Sequence, residues 1–178
     1  MSSLVDMSSD AETDSVRGDP RKGIRLRIWS EEEFLARKND YRDLLSRSHA
    51  DPLFMSWDWL ATWWQLHKEP FRLQLKAFAA ETGDGRVLGL APMTERTFRH
   101  VGGLVGTRLE PLGTLRGEGE AALTEYVTFP VDRHAVGTDI TRSLAQFVFS
   151  DSEWDDLCLA FIPTESDTWR FLVEVEAG

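Results

Sequence analysis

The run Phe71-Arg-Leu-Gln-Leu-Lys-Ala-Phe78, the turn Thr82-Gly-Asp-Gly85 and the run Arg86-Val-Leu-Gly-Leu-Ala-Pro-Met93 decide how this chain folds. The first run alternates apolar and polar residues with period two, which is the pattern of a half-buried strand. Gly-Asp-Gly supplies the turn, and the second run returns as a strand, so an antiparallel hairpin sits in the middle of the chain. Upstream, Ile24-Arg-Leu-Arg-Ile-Trp29 alternates in the same way. Ser30 followed by Glu33 has capping-box spacing and opens a helix expected to run to about Ser48, with Phe34, Leu35, Tyr41, Leu44 and Leu45 on one side. A second helix is expected from Ser56 to about Lys68. Its apolar residues Trp57, Trp59, Leu60, Trp63, Trp64 and Leu66 fill roughly half the helical wheel, opposite Asp58, Ala61, Thr62 and Gln65.

Downstream, residues 94–123 read as loop-rich, with one strand near Arg108–Leu112. Tyr126-Val-Thr-Phe129 reads as a short strand ended by Pro130. Ile140, Leu144, Phe147 and Val148 recur at helical spacing and predict a helix from about Thr138 to Phe149. Trp154–Ile162 reads as a strand apolar on both faces, typical of a sheet interior. Thr164-Glu-Ser-Asp167 then caps a helix bearing Trp169, Leu172 and Val173. Strands mixed with interposed helices predict an α/β fold around a mixed sheet.

The 178 residues suit one domain. Residues 1–22 are rich in Ser, Asp, Glu and Thr and end in the breaker cluster Gly18-Asp-Pro-Arg-Lys-Gly23, so they read as a disordered acidic tail preceding a domain over 23–178. The net charge is −10, of which the tail carries five acids and three bases, leaving the body strongly acidic. Such a body repels phosphate backbones and anionic lipid, which argues against a nucleic-acid partner. No run approaches the roughly 18 apolar residues that would span a bilayer. The start, Met1-Ser-Ser-Leu-Val-Asp-Met-Ser-Ser-Asp10, has neither the basic nor the apolar region of a secretory signal, and the chain reads as cytoplasmic.

The order of elements resembles the GNAT acyltransferase fold: one strand, two helices, an antiparallel run, then alternating helix and strand. Particular strings resemble the CelD-like (BioF-like) acyltransferases of that superfamily, which are related to the FemABX aminoacyltransferases. Phe54-Met-Ser-Trp-Asp-Trp-Leu-Ala-Thr-Trp-Trp64 is similar to their second helix, and Val87-Leu-Gly-Leu-Ala-Pro-Met93 to a characteristic strand. Leu112-Gly113 with Glu125-Tyr-Val-Thr-Phe129, and Trp154-Asp-Asp-Leu-Cys-Leu159 with Ile162-Pro and Ser166-Asp-Thr168, continue the likeness from about Arg25 to Val173. The resemblance implies transfer of an acyl group from acetyl-CoA or another acyl-CoA to an amine or hydroxyl. Proteins of this type carry two GNAT-like halves, and every matched string belongs to the first. The resemblance therefore implies an N-terminal half, its sheet incomplete at the C-terminal side, with the acyl-CoA site ascribed to a second half. The alternative is a non-catalytic half that pairs with a separate catalytic partner or positions a small-molecule, peptide or polysaccharide acceptor.

Arg116-Gly-Glu-Gly119-Glu-Ala121 has the R/Q-x-x-G-x-G/A spacing with which GNAT enzymes cradle the CoA pyrophosphate. Glu118 and Glu120 oppose an anion, however, and Ala122–Tyr126 is too short for the helix such a turn must open, so the stretch reads as a glycine loop. Gly102, Gly103 and Gly106 read the same way. Glu125 and Tyr126 are the pair placed where a general base and acid could fall, against the simpler reading of Tyr126 as a packing residue. His49, His67, His100 and His134 have no metal-binding spacing, and no metal is expected. Cys158, the single cysteine, lies in the expected interior strand and reads as core. The wide apolar arc of the tryptophan helix predicts that Trp57 or Trp64 meets a second surface.

Overall fold

A computed structural model describes residues 17–19, 23–99, 102–117, 120–135, 139–151, 153–160 and 162–176. The predicted hairpin is its centre. Strands β3 (Gln74–Thr82) and β4 (Val87–Arg99) pair antiparallel, with Phe78 opposite Ala91. Around them a six-stranded sheet runs β1 (Arg17–Asp19), β2 (Ile24–Trp29), β3, β4, β5 (Val105–Pro111) and β8 (Asp156–Leu157). All neighbours are antiparallel except β5 and β8, which are parallel. The fold is mixed α/β.

Alternation along the strands divides the core into two layers. Trp29, Leu75, Ala77, Ala79 and Leu90 face α1 (Glu31–Ala36), α2 (Lys38–Ser46) and α3 (Trp57–Phe71), where Phe34, Tyr41, Leu44, Leu60, Trp63 and Trp64 are buried. Phe78, Ala80, Ala91, Met93 and Leu109 face α4 (Ile140–Ser150), which buries Ile140, Leu144, Phe147 and Val148. Gly89 permits that approach: a Cβ there would stand 2.6 Å from Ile140 Cγ2 and 3.0 Å from Leu144 Cδ1. Helix α5 (Asp167–Glu176) packs beside α4.

Several expectations are corrected. The single helix from Ser30 is two, broken at Arg37. The break carries the Arg37 side chain to the buried Glu81 carboxylate, to the Gly85 carbonyl (3.0 Å) and over the Trp29 ring (4.2 Å). Residues 94–123 hold more strand than loop, because β4 runs on to Arg99 and β6 (Thr114–Gly117) and β7 (Glu120–Leu123) form a second hairpin. Tyr126–Phe129 is not a strand: Tyr126 takes φ +55°, which breaks the extended run, and the chain pairs with β4 just after it, at an isolated Gly89–Val131 bridge. In place of a long interior strand at 154–162, β8 has two residues, is last in the sheet order and is half-buried. Cys158, just beyond it, is half-buried too rather than core, its N–H donating to Leu109 O at 2.9 Å. Within the stretch read as a disordered tail, Arg17–Asp19 pair with β2; the rest of 1–22 lies outside the described residues.

The outward tryptophan is neither expected one. Trp64 is buried, with Nε1 donating to Glu31 at 2.9 Å, and Trp57 lies half-buried beneath the Lys38 ammonium (4.4 Å). Trp59 and Leu66 are the exposed apolar residues of α3.

Candidate functional site

Three segments converge and enclose a cleft. The first is the α2–α3 connection. Asp51 Oδ1 accepts from the N–H groups of Leu53 and Phe54 (2.8 Å each), and the buried Tyr41 hydroxyl donates to Met55 O (2.7 Å), which pins this turn to the core. The second is the crossing segment 124–132, which passes over β4 with Leu90 N donating to Pro130 O and Asp132 N to Leu88 O. The third is the start of α5, where Ser166 Oγ accepts from Trp169 N at 3.1 Å and caps the helix.

The second and third segments are tied by one internal bond: Phe129 N–H donates to Thr168 Oγ1 at 2.7 Å, and Thr168 is completely buried. The first and second are tied through Arg47, whose guanidinium meets the buried Asp132 carboxylate while its carbonyl accepts from Arg133 N (3.0 Å). Arg86 reaches the same carboxylate at 3.1 Å. Asp132 is thus fully engaged in holding the cleft together.

One cavity, about 570 Å³, is lined by His49, Asp51, Tyr126, Thr128, Glu165 and Asp167 among others. A cavity of about 420 Å³ adjoins it, sharing His49, Asp167 and Arg170 and continuing past Asp132 to Asp139 at the start of α4. A third, of about 330 Å³, shares Tyr126 and Pro163 and adds Glu125 and Ile162. Tyr126 stands at the junction, 56 % exposed, its ring centroid 6.1 Å from that of Phe54. Phe54 in turn meets Trp59 edge-on at 6.0 Å, and Trp59 Nε1 donates to Thr124 Oγ1 (3.1 Å).

Two non-glycine residues on the rim, Tyr126 (φ +55°) and Glu165 (φ +72°), hold left-handed backbone. That conformation costs roughly 1–2 kcal/mol for an L-residue, and such cost concentrates at binding sites. Burial pushes the Asp167 carboxyl above its ordinary range, partly offset by the nearby charges of Arg170 and His49.

Of the sequence candidates, the cleft gathers Glu125, Tyr126 and His49. The others lie elsewhere. Arg116–Gly117 and Glu120–Ala121 are strand residues of the β6–β7 hairpin, so no helix opens after this stretch. Gly102 and Gly103 turn the chain between β4 and β5 with φ of +103° and +85°, and Gly106 packs against Phe98. His67 lies stacked on Trp63 (4.5 Å) with Nδ1 at 2.7 Å from the Trp63 carbonyl, a packing role. His134 sits on an exposed turn beside Arg133, and His100 lies outside the described residues. Among the described residues no group of His, Cys, Asp and Glu could hold a metal ion. Residues that sequence patterns missed are Asp51, Thr128, Glu165, Asp167 and Arg170; the capping string Thr164–Asp167 was the only signal, and it marks a helix start rather than a cleft wall.

Comparison with family models, curated proteins and solved structures finds no match. Among the described residues no helix is long and apolar enough to cross a membrane.

Proposed function

We propose that this chain serves acyl transfer as a GNAT-type, CelD-like family member, and that its own part is to hold the acceptor. The observation that carries the reading is the β6–β7 hairpin. In the one stretch with pyrophosphate-turn spacing, Arg116–Ala121, the described residues pair in an antiparallel ladder, Arg116 opposite Ala121 and Gly117 opposite Glu120. The amides of these paired residues are not gathered at a helix N-terminus, the arrangement that favours a phosphate group. The residues present do not fit a CoA pyrophosphate there. The cleft at Tyr126 offers what an acceptor site needs instead: a cavity, an exposed ring, convergent polar groups and a carboxyl displaced from its ordinary range.

On this reading the acyl-CoA donor, acetyl-CoA or another, is brought by a second GNAT-like half, and the shared compartment is the cytoplasm. The resemblance in order of elements supports the family; the sheet, with four antiparallel neighbours before one parallel pair, is compatible with it. Reconstitution tests the proposal. The chain mixed with acetyl-CoA and a GNAT-like half encoded in the adjacent reading frame should acetylate an amine or hydroxyl faster than the partner does alone. A partner rate that the chain leaves unchanged, or turnover by the chain alone, overturns it.

A further inference from the structure

We infer that the chain associates as a two-fold dimer in which the exposed face of α3 lies antiparallel on the same face of a second copy. Trp59 packs against the partner's Leu66, and Glu69 meets the partner's Lys38 and Arg42. The inference is independent of the acyl-transfer reading.

Helical spacing sets the apolar row. Trp59, Thr62 and Leu66 recur at i, i+3 and i+7, the seam spacing of paired helices, and all three are exposed. The core is already served by Leu60, Ala61, Trp63 and Trp64, so this row has no part in covering the sheet. Leu66 is 64 % exposed and makes the row's most open apolar surface. Trp59 is a fixed anchor, its indole held by Thr124 Oγ1 at 3.1 Å and by the Phe54 ring, and tryptophans so held dominate interface energetics. Phe54 and Tyr126 widen the row at this end, and the exposed Pro70 prolongs it at the other.

Charge complementarity selects a second copy as the occupant. Asp58 and Glu69, eleven residues apart, fall on one flank of α3. At the N-terminal end of that flank, Lys38 Nζ (2.8 Å) and the Arg42 guanidinium both reach Asp58, which leaves one positive charge in surplus. At the C-terminal end Glu69 is exposed and enters no salt bridge among the described residues. A two-fold axis across the middle of α3 reverses the helix but keeps the flank. It therefore brings each Glu69 to the partner's Lys38 and Arg42 and, in the same register, each Trp59 to the partner's Leu66. A parallel pairing would set Glu69 against the partner's Glu69. The face is thus self-complementary in the isologous sense, with the apolar row supplying attraction and the rim charges the register. The net charge of −10 on each copy opposes approach, but at physiological salt that repulsion is screened beyond about 8 Å.

The test is sedimentation equilibrium of the full chain at physiological salt. The weight-average mass should climb from that of one chain towards that of two between about 5 and 500 µM, the range of a small interface. Leu66→Glu changes a side chain that is already exposed, places a charge in the row twice per dimer, and should weaken association about 100-fold. Glu69→Arg and Arg42→Glu should each weaken self-association about 10-fold, because each sets like charges opposite one another at both ends. Mixed in equal amounts, these two variants should regain the association of the unaltered chain, since opposite charges then meet at both ends. A chain that stays monomeric throughout, a mass that rises past two chains, a dimer indifferent to Leu66→Glu, or a mixture that associates no better than either charge variant alone would overturn the inference. The measurement contains neither acyl-CoA nor a second GNAT-like half, so either outcome leaves the acyl-transfer reading to reconstitution.

Discussion

Replacing Arg37 with alanine tests the bond that divides the first helical layer. Glu81 lies in the middle of the sheet, 1 % exposed, and its carboxylate is compensated by Arg37, by Trp29 Nε1–H at 2.8 Å and, more distantly, by Arg27 Nη1 at 3.8 Å. Breaking a buried pair from one side costs about 3–5 kcal/mol, because the remaining charge is stranded. Here the indole donor and Arg27 remain, and a hydrogen bond to a charged group offsets about 1.5–3 kcal/mol, so the expected loss is about 1–3 kcal/mol. For a chain of this size that lowers Tm by about 2–12 °C. Glu81→Gln is the milder change. Arg37 is 20 % exposed and keeps Asp40 at 2.7 Å, so stranding the guanidinium costs about 1 kcal/mol or less. The double variant should then be more stable than the sum of the two losses implies, by about 1 kcal/mol, since no uncompensated carboxylate is left. Urea unfolding of the four proteins measures all three quantities. An Arg37→Ala loss within about 0.5 kcal/mol of zero, or strict additivity, would refute the assignment of Arg37 as the principal counter-ion.

Gly89→Ala should cost about 1–3 kcal/mol in the same urea assay, because the new methyl would stand 2.6 Å from Ile140 Cγ2; an unchanged midpoint would show that α4 does not rest on β4 as described. Thr168→Val orphans the buried Phe129 N–H and should cost about 1–3 kcal/mol, while Thr168→Ser should recover most of it; equal losses in both variants would make the site one of packing rather than hydrogen bonding. Asp167 follows a pH rule. Its folded-state carboxyl is displaced upward, chiefly by burial, so its contribution to stability is fully present below the ordinary value of 3.8 and is lost as pH rises through the raised value. Asp167→Asn should therefore raise Tm at neutral pH and make little difference below pH 3.8, a pattern that thermal melts across pH would contradict if the variant were less stable at neutrality.

Where hydrophobic period and turn chemistry agree, sequence patterns locate the structure well: the central hairpin from Gln74 to Met93, the tryptophan helix and α4 all follow from local spacing. The misreadings share a physical cause, which is that a distant residue decides the local geometry. Nothing around Arg37 announces a helix break; the reason is Glu81, forty-four residues away. Tyr126-Val-Thr-Phe129 has strand composition, yet Thr168 takes the Phe129 amide that a ladder would use. The site was visible only in part for the same reason. Glu125 and Tyr126 carry a recognisable pattern, whereas Asp51, Glu165 and Asp167 read as ordinary turn and cap residues until the fold brings their loops to one cleft.

The most direct test of the central claim, that this chain holds an acceptor and does not itself cradle the acyl donor, is calorimetric titration of the purified chain with acetyl-CoA. The account predicts no saturable heat at high micromolar ligand, because Arg116–Gly117 and Glu120–Ala121 pair in the β6–β7 ladder rather than opening a helix. Saturable binding at one site per chain would contradict it and make the chain an acyl-CoA-binding enzyme in its own right.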